Sequence, residues 1–355
     1  MITLIFGTRP EAIKLGPIAA ELALLDVSMQ IVCTGQHTHL LAGTPAESDL
    51  RASVSLALAS DGNVMRWTHR AGPKLQEAIL AADIVVVQGD TMSAYAAALA
   101  ASQLEKVLCH VEAGVRSHSL DEPWPEERFR IQIDSMATWA YAPTSTAYAN
   151  LVTEEFDQKR ILVTGNSVIS AVARYTTAMP TEPADHCLVT LHRREWTEGP
   201  HFVEVLDALC AAARDHAAAR FVWPMHPTVA NRLSRKWLDA VPPNLLLMPP
   251  LTYADAIGML AHAFGVLTDS GGLVEEAAAL GVPSVQLRNV SDRPEAIEAG
   301  VSALEAPTAA GVYRAVQALT TGRLPRRPSD VFGDASAAAQ IARHLARLDS
   351  RIEKE

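Results

Sequence analysis

Aromatic residues make up only 5% of the 355 residues, and there are just four cysteines. Cys33, Cys109, Cys187 and Cys210 are scattered without a C-x-x-C pair, and three of them fall in apolar, strand-like text. Free, buried thiols in a reducing compartment are therefore expected rather than two disulfides. There is no run of basic residues: 30 Lys and Arg face 40 Asp and Glu, a formal charge of −10. Such a surface repels phosphate backbones and anionic lipid, so neither nucleic acid nor a membrane is expected as a partner. No apolar stretch approaches ~20 residues without charge or Pro, which excludes a membrane span. The text MITLIFGTRPEAIK starts directly as a strand, without a charged n-region or a long apolar segment, and a cytoplasmic protein is expected. Neither G-x-G-x-x-G nor G-x-x-x-x-G-K-[ST] occurs, so no nicotinamide fingerprint or P-loop is present and no cofactor is implied. His37 and His39 form an H-x-H without a nearby third ligand, so no metal site is expected.

What is present is the text of a two-domain α/β protein. At ~150 residues per domain the length fits two domains, and 49% hydrophobic with 20% charged residues excludes disorder. Short, continuous apolar runs recur at 2–6, 29–33, 84–87, 107–111, 140–142 and 161–163, then at 187–191, 220–223, 245–248, 265–268 and 284–286, between Ala-rich helical text. Runs of this kind are buried on both faces, which means parallel sheets covered by helices. The reading is two Rossmann-like, doubly wound domains, residues 1–170 and 171–334, with a Pro-containing connector at 176–186. An amphipathic helix within 335–355 is expected to pack back on the first domain. Two such sheets facing one another would hold a ligand in a cleft at the carboxyl ends of their strands.

The loops that follow strands carry the chemistry. After the first strand, Gly7 to Lys14 offers a tight turn, a helix start and the cations Arg9 and Lys14, which suits an anion; a plain strand-to-helix turn with surface charge fits equally well. Ser270, Gly271 and Gly272 stand at a helix N-terminus, where N–H groups and the macrodipole favour a phosphate, although Ser or Asp there also serves as an ordinary N-cap. Glu276, one turn further, suits a ribose diol, and Arg293 adds a cation. Asp90, Glu112 and Glu126 end or follow strands, where loops converge. Like charges brought together raise one another's pKa, which makes a carboxyl usable as an acid or base near neutrality. His192 follows the strand at 187–191 and could bond a phosphate or act as an acid.

At these residues the sequence resembles the UDP-N-acetylglucosamine 2-epimerase family, particularly its non-hydrolysing bacterial branch. The matches run in order along the chain: GTRPEAIKLGPI, TGQH, VQGDTMSAYAAALAA, HVEAGVRS, PWPEE, VTGNSVISA, HRRE, TDSGGLVEEAAALGVPSV and DRPEAIEAG. The resemblance implies two Rossmann-like domains as in GT-B glycosyltransferases, a homodimer, and UDP held mainly by the second domain. It makes Asp90, Glu112 and Glu126 the catalytic acids, and links Arg9, Lys14 and His192 to catalysis or the diphosphate. Ser270, Gly271, Gly272, Glu276 and Arg293 become the UDP site. The chain departs from the family pattern at Leu191, Trp196 and Phe129, and at Thr38, His39 and Asn63. The last three, with His226, fall in text matching a second, allosteric UDP-sugar site of several bacterial members.

The implied reaction is reversible C2 epimerisation of UDP-GlcNAc to UDP-ManNAc, through elimination and re-addition of UDP by way of a glycal. The alternatives are an epimerase of another UDP-sugar, a hydrolysing epimerase releasing UDP and ManNAc, and, sharing the fold, a GT-B glycosyltransferase.

Overall fold

The computed structural model describes residues 1–36, 49–60, 62–176 and 186–352. The H-x-H at 37–39 and most of the connector at 176–186 therefore lie outside the described residues. The chain divides into two compact units, one formed by Met1–Ala173 with Gly333–Glu355 and the other by Arg174–Phe332.

The first unit is built on a sheet of seven strands: β1 (Ile2–Phe6), β2 (Met29–Cys33), β3 (Val54–Ser55), β4 (Ile84–Gln88), β5 (Val107–Val111), β6 (Trp139–Ala142) and β7 (Ile161–Val163). Their order is β3-β2-β1-β4-β5-β6-β7, and every pairing is parallel, with Leu4 opposite Ile31 on one side and Val86 on the other. Successive strand residues point to opposite faces, so an apolar run feeds two cores at once. Ile2, Leu4 and Phe6 join Leu15, Ile18, Val86 and Cys109 on one face. Ile5, Val85 and Val87 join Trp67, Leu75 and the alanines of Met92–Gln103 on the other. The first of these cores is completed by the helix Ala337–Ile352, whose Ala338, Ile341, Ala342, Leu345 and Leu348 recur at helical spacing and are buried with the β1 residues.

The second unit has six strands: β8 (His186–Thr190), β9 (Arg220–Pro224), β10 (Leu245–Met248), β11 (Gly265–Thr268), β12 (Ser284–Leu287) and β13 (Ser302–Glu305). The order is β10-β9-β8-β11-β12-β13, again with every pairing parallel. Val189, Trp223, Leu267 and Val285 pack with the helices Phe202–Asp215 and Ala309–Thr320. The fold class expected from the apolar runs is thus observed in both units. Two strands were not legible. β3 is two residues long, and β13 reads Ser-Ala-Leu-Glu; both are sheet-edge strands without a continuous apolar run.

All four cysteines are free. Burial pushes the thiols of Cys109 and Cys187 up to about 12, which keeps them inert.

Candidate functional site

In each unit the strand order reverses direction at one place, between β1 and β4 in the first and between β8 and β11 in the second. Such switch points splay the following loops apart and open a crevice at the strand ends. The residues singled out from the sequence fall on these loops.

In the first unit, Gly7 leaves β1 and Thr8 begins the helix Arg9–Leu24, with Pro10 in its first turn. Only glycine fits at position 7, because a Cβ there would lie 1.9 Å from Ser93 Oγ and 2.1 Å from Thr34 Oγ1. Thr8 and Glu11 form a capping box: the backbone N–H groups of Gly7 and Thr8 donate to Glu11 Oε2 at 3.0 and 2.7 Å. Thr8 Oγ1 donates to the same oxygen, and Thr91 Oγ1, beside Asp90, donates to Oε1, both at 2.7 Å. Glu11 is buried, and that burial raises its carboxyl to about 7, against the lowering effect of these donors. Arg9, half-buried, opens the helix. Lys14, one turn on, is buried and places Nζ 2.5 Å from Glu112 Oε2, which also accepts a bond from Gln88 Nε2.

Glu112 itself follows β5 with φ +73°, a left-handed conformation that costs a non-glycine residue about 1–2 kcal/mol. The backbone N–H groups of Glu112 and Ala113 both donate to Tyr141 C=O, at 3.1 and 3.2 Å. Asp90 ends the loop after β4, where Arg130 grips its Oδ2 with Nε at 2.7 Å and Nη2 at 2.6 Å. The two acids thus each have a cation at ion-pair distance. Glu126 opens the helix Glu126–Met136, with Oε2 buried.

That helix carries a polar stripe the sequence reading missed. Glu127, Arg130 and Asp134 are all buried on it. Glu127 accepts the backbone N–H groups of Ser117 and His118, and Arg130 bonds Glu127 as well as Asp90. Asp134 Oδ1 faces His110 Nδ1 at 2.5 Å, while its Oδ2 accepts Gly114 N–H at 3.0 Å and Arg116 Nη2 at 2.7 Å. Burial alone would push the Asp134 carboxyl up; His110 and Arg116 outweigh it and hold the group below the usual carboxylate range.

In the second unit the organiser is Asp269, fully buried at the end of β11. Its Oδ2 accepts the backbone N–H groups of His192 (2.5 Å) and Arg193 (2.7 Å) and the indole N–H of Trp196 (3.0 Å). Its Oδ1 faces His192 Nδ1 at 3.1 Å. Burial opposes ionisation of Asp269, but His192 and these donors more than compensate and hold it well below the usual range. Trp196, one of the departures from the family pattern, is therefore a donor to the same carboxylate that orients His192.

Ser270 is the N-cap of the helix Gly271–Leu280, but its side chain does not cap it, and the first turn carries no acid. Gly271 and Gly272 lead that helix, so their N–H groups and the macrodipole make this end suited to an anion. Glu276 lies one turn on and accepts the Tyr253 hydroxyl at 2.9 Å. Arg293 is buried; its Nε bonds Glu275 and its Nη1 donates to Asp292 C=O at 2.9 Å, while Asp292 Oδ1 bonds Arg288 Nη1 at 2.7 Å. This charged cluster lies behind the helix start, since a Cβ on Gly271 would meet Asp292 Oδ1 at 3.2 Å.

The structure thus places Arg9, Lys14, Asp90, Glu112 and Glu126 in the first unit, and His192, Ser270, Gly271, Gly272, Glu276 and Arg293 in the second. Glu11 had a readable signal, the T-x-x-E capping box ahead of a helix. The ties from Arg130 and Asp134 had none, because they run to loops 40 and 20 residues away in sequence. Among the described residues, no three His, Cys, Asp or Glu side chains cluster to hold a metal ion. A cavity of about 810 Å³ in the second unit, bordered by Asp215, His216, Phe264, Pro283 and Arg326, lies against residues that precede β9, β11 and β12, at the strands' amino ends.

Two doubly wound parallel sheets with such loops at their switch points place the chain in the Rossmann-like class of α/β proteins. The sequence model described as UDP-N-acetylglucosamine 2-epimerase matches residues 22–346. A UDP-N-acetylglucosamine 2-epimerase of Yersinia pestis is 32% identical over 371 aligned positions, covering 96% of this chain and 97% of that one. Among solved structures, the UDP-GlcNAc 2-epimerase of Methanocaldococcus jannaschii in complex with UDP-GlcNAc and UDP superposes with a TM-score of 0.88 at 28% identity, covering 98% of this chain and 99% of the other. The Neisseria meningitidis enzyme bound to UDP-GlcNAc gives the same TM-score, identity and coverage. The chain belongs to the UDP-N-acetylglucosamine 2-epimerase family.

Proposed function

We propose that this chain interconverts UDP-GlcNAc and UDP-ManNAc by eliminating UDP and adding it back. The observation that carries the reading is the buried Lys14–Glu112 ion pair beside Gln88, at the switch point of the first unit in a chain of this family. The C2 proton of an N-acetylated sugar is not adjacent to a carbonyl, so its direct removal is very slow. Departure of UDP from C1 gives that carbon oxocarbenium character, acidifies the C2 proton and, once the proton is taken, leaves a glycal. Carbon–oxygen bond breaking and re-formation is redox-neutral and needs no nicotinamide. Asp90, Glu112 and Glu126 carry the proton transfers, coupled so that base and acid belong to the set. Arg9, Lys14 and His192 stabilise the charge that develops on the departing diphosphate. Ser270, Gly271 and Gly272 take the phosphates on the helix N-terminus, Glu276 takes the ribose diol, and Arg293 steadies the helix start.

The same reading makes the protein a cytoplasmic homodimer supplying surface-polysaccharide synthesis; no helix among the described residues is long and apolar enough to cross a membrane. Incubation with UDP-GlcNAc in D2O, followed by NMR, tests it. The expected product is UDP-ManNAc with deuterium at C2 in both UDP-sugars. Free UDP with N-acetylmannosamine would instead mark the hydrolysing reaction, and UDP release only on adding an acceptor would mark a glycosyltransferase. Glu112→Gln and Asp90→Asn should each lower kcat by about 100-fold or more; unchanged turnover in both would overturn the assignment of the acids.

A further inference from the structure

The proposed catalytic acids Asp90 and Glu112 sit on separate loops, after β4 and β5, and one buried side chain spans both. His110, on β5 and fully buried, faces Gly89 C=O with Nε2 at 2.9 Å and Asp134 with Nδ1. Gly89 immediately precedes Asp90. On the other side, Asp134 holds Gly114 N–H, two residues beyond Glu112. The chain of contacts therefore runs from the Asp90 turn through His110 and Asp134 to the Glu112 turn. Arg116 closes it, bonding Asp134 and then Glu154 with Nε at 2.8 Å and Nη2 at 2.6 Å. Both ring nitrogens of His110 face acceptors. A carbonyl cannot donate, so Nε2 carries the hydrogen given to Gly89 C=O, and a second hydrogen bond joins Nδ1 to Asp134 Oδ1. Losing either contact would leave a buried polar group unpaired, at a cost of about 1–3 kcal/mol.

We infer that His110 and Asp134 are a positioning pair that fixes the spacing of Asp90 and Glu112 without touching the sugar. The inference rests on the reading in which those two acids carry proton transfer. The left-handed backbone at Glu112 is the element that needs support, and Asp134 fastens the turn just beyond it. Loss of the tie lets the two loops settle independently, and a displacement near 1 Å at reacting groups lowers turnover on the order of 100-fold.

Asp134→Asn and His110→Gln test the pair in the full-length protein. Both should lower kcat on the order of 100-fold, with KM for UDP-GlcNAc and affinity for UDP nearly unchanged, and C2 deuterium incorporation should fall in step with kcat. In a Glu112→Gln background the second change should matter far less than in the wild type, because it acts through that residue. A folded variant with wild-type kcat, or effects that multiply independently with Glu112→Gln, overturns the inference. Should a variant fail to fold, the wild-type enzyme still answers: ¹⁵N NMR of the His110 ring should show Nε2 protonated and Nδ1 in a hydrogen bond, and a bare Nε2 or a free Nδ1 overturns the pairing. If the wild type neither epimerises UDP-GlcNAc nor exchanges C2, the functional reading fails, while the ring spectrum reports separately on the pair.

Discussion

Glu11 is a carboxyl placed where its charged form is disfavoured, and this has a measurable consequence. Its folded-state value of about 7 stands above the ordinary 4.5, so between those pH values the folded chain holds a proton that the unfolded chain has lost. Its contribution to stability is therefore fully present below about 4.5, declines as pH rises to about 7, and is constant above that. Glu11→Gln removes the titration while keeping an amide oxygen for the donors from Gly7 and Thr8. The Tm of the variant relative to wild type should rise between these pH values and level off; a constant difference would mean that Glu11 ionises alike in both states. Asp269 is the opposite case, a buried carboxylate held ionised by its donors. Asp269→Ala leaves the N–H groups of His192, Arg193 and Trp196 unanswered, and should lower stability by roughly 3–5 kcal/mol, as breaking a buried charged network does. Urea unfolding checks the stability; a UDP titration should show weakened binding, because His192 loses the group that orients it. Unaltered affinity would detach His192 from the diphosphate.

Among the elements, the turn after β1 is the most constrained. Gly7→Ala forces Ser93 and Thr34 to move, an overpacking that costs about 1–3 kcal/mol. Activity should fall as well, since the turn carries Arg9 and Lys14; a variant with wild-type Tm and kcat would show that the turn yields freely. Element by element, strands such as β1 and β4 were legible because four of the five residues in each are apolar and all five are buried. β13 was not, since at the sheet edge three of its four residues stay half-exposed and polar residues are tolerated. The loops bearing Asp90, Glu112 and Asp269 were legible for a related reason: text after a parallel strand emerges at the carboxyl edge. The stripe Glu127–Arg130–Asp134 was not. It looks like the charged outer face of a helix, and only the packing of that helix over β5 turns it inward, onto His110 and Asp90.

On the scale of the whole molecule, the first unit is discontinuous, built from the start of the chain and its last helix. Leu345, fully buried among Ile2, Leu15 and Ile18, makes the test direct. Leu345→Ala should lower the stability of this unit by about 2–5 kcal/mol. Amide exchange should accelerate in β1 and the helix Arg9–Leu24 and stay unchanged in β8 to β13, which have their own core. Equal loss of protection in both units would mean that they unfold as one. The amino-acid sequence by itself determined the two parallel sheets, the placement of acids and glycines at strand ends and the family, because burial on two faces and turn chemistry are local and leave local patterns. Only the tertiary structure decided which charges meet: Lys14 with Glu112 across 98 residues, Arg130 with Asp90 across 40, Asp134 with His110 across 24. Ion pairs and buried hydrogen bonds depend on the distance between side chains in space, and that distance leaves no periodic trace along a chain.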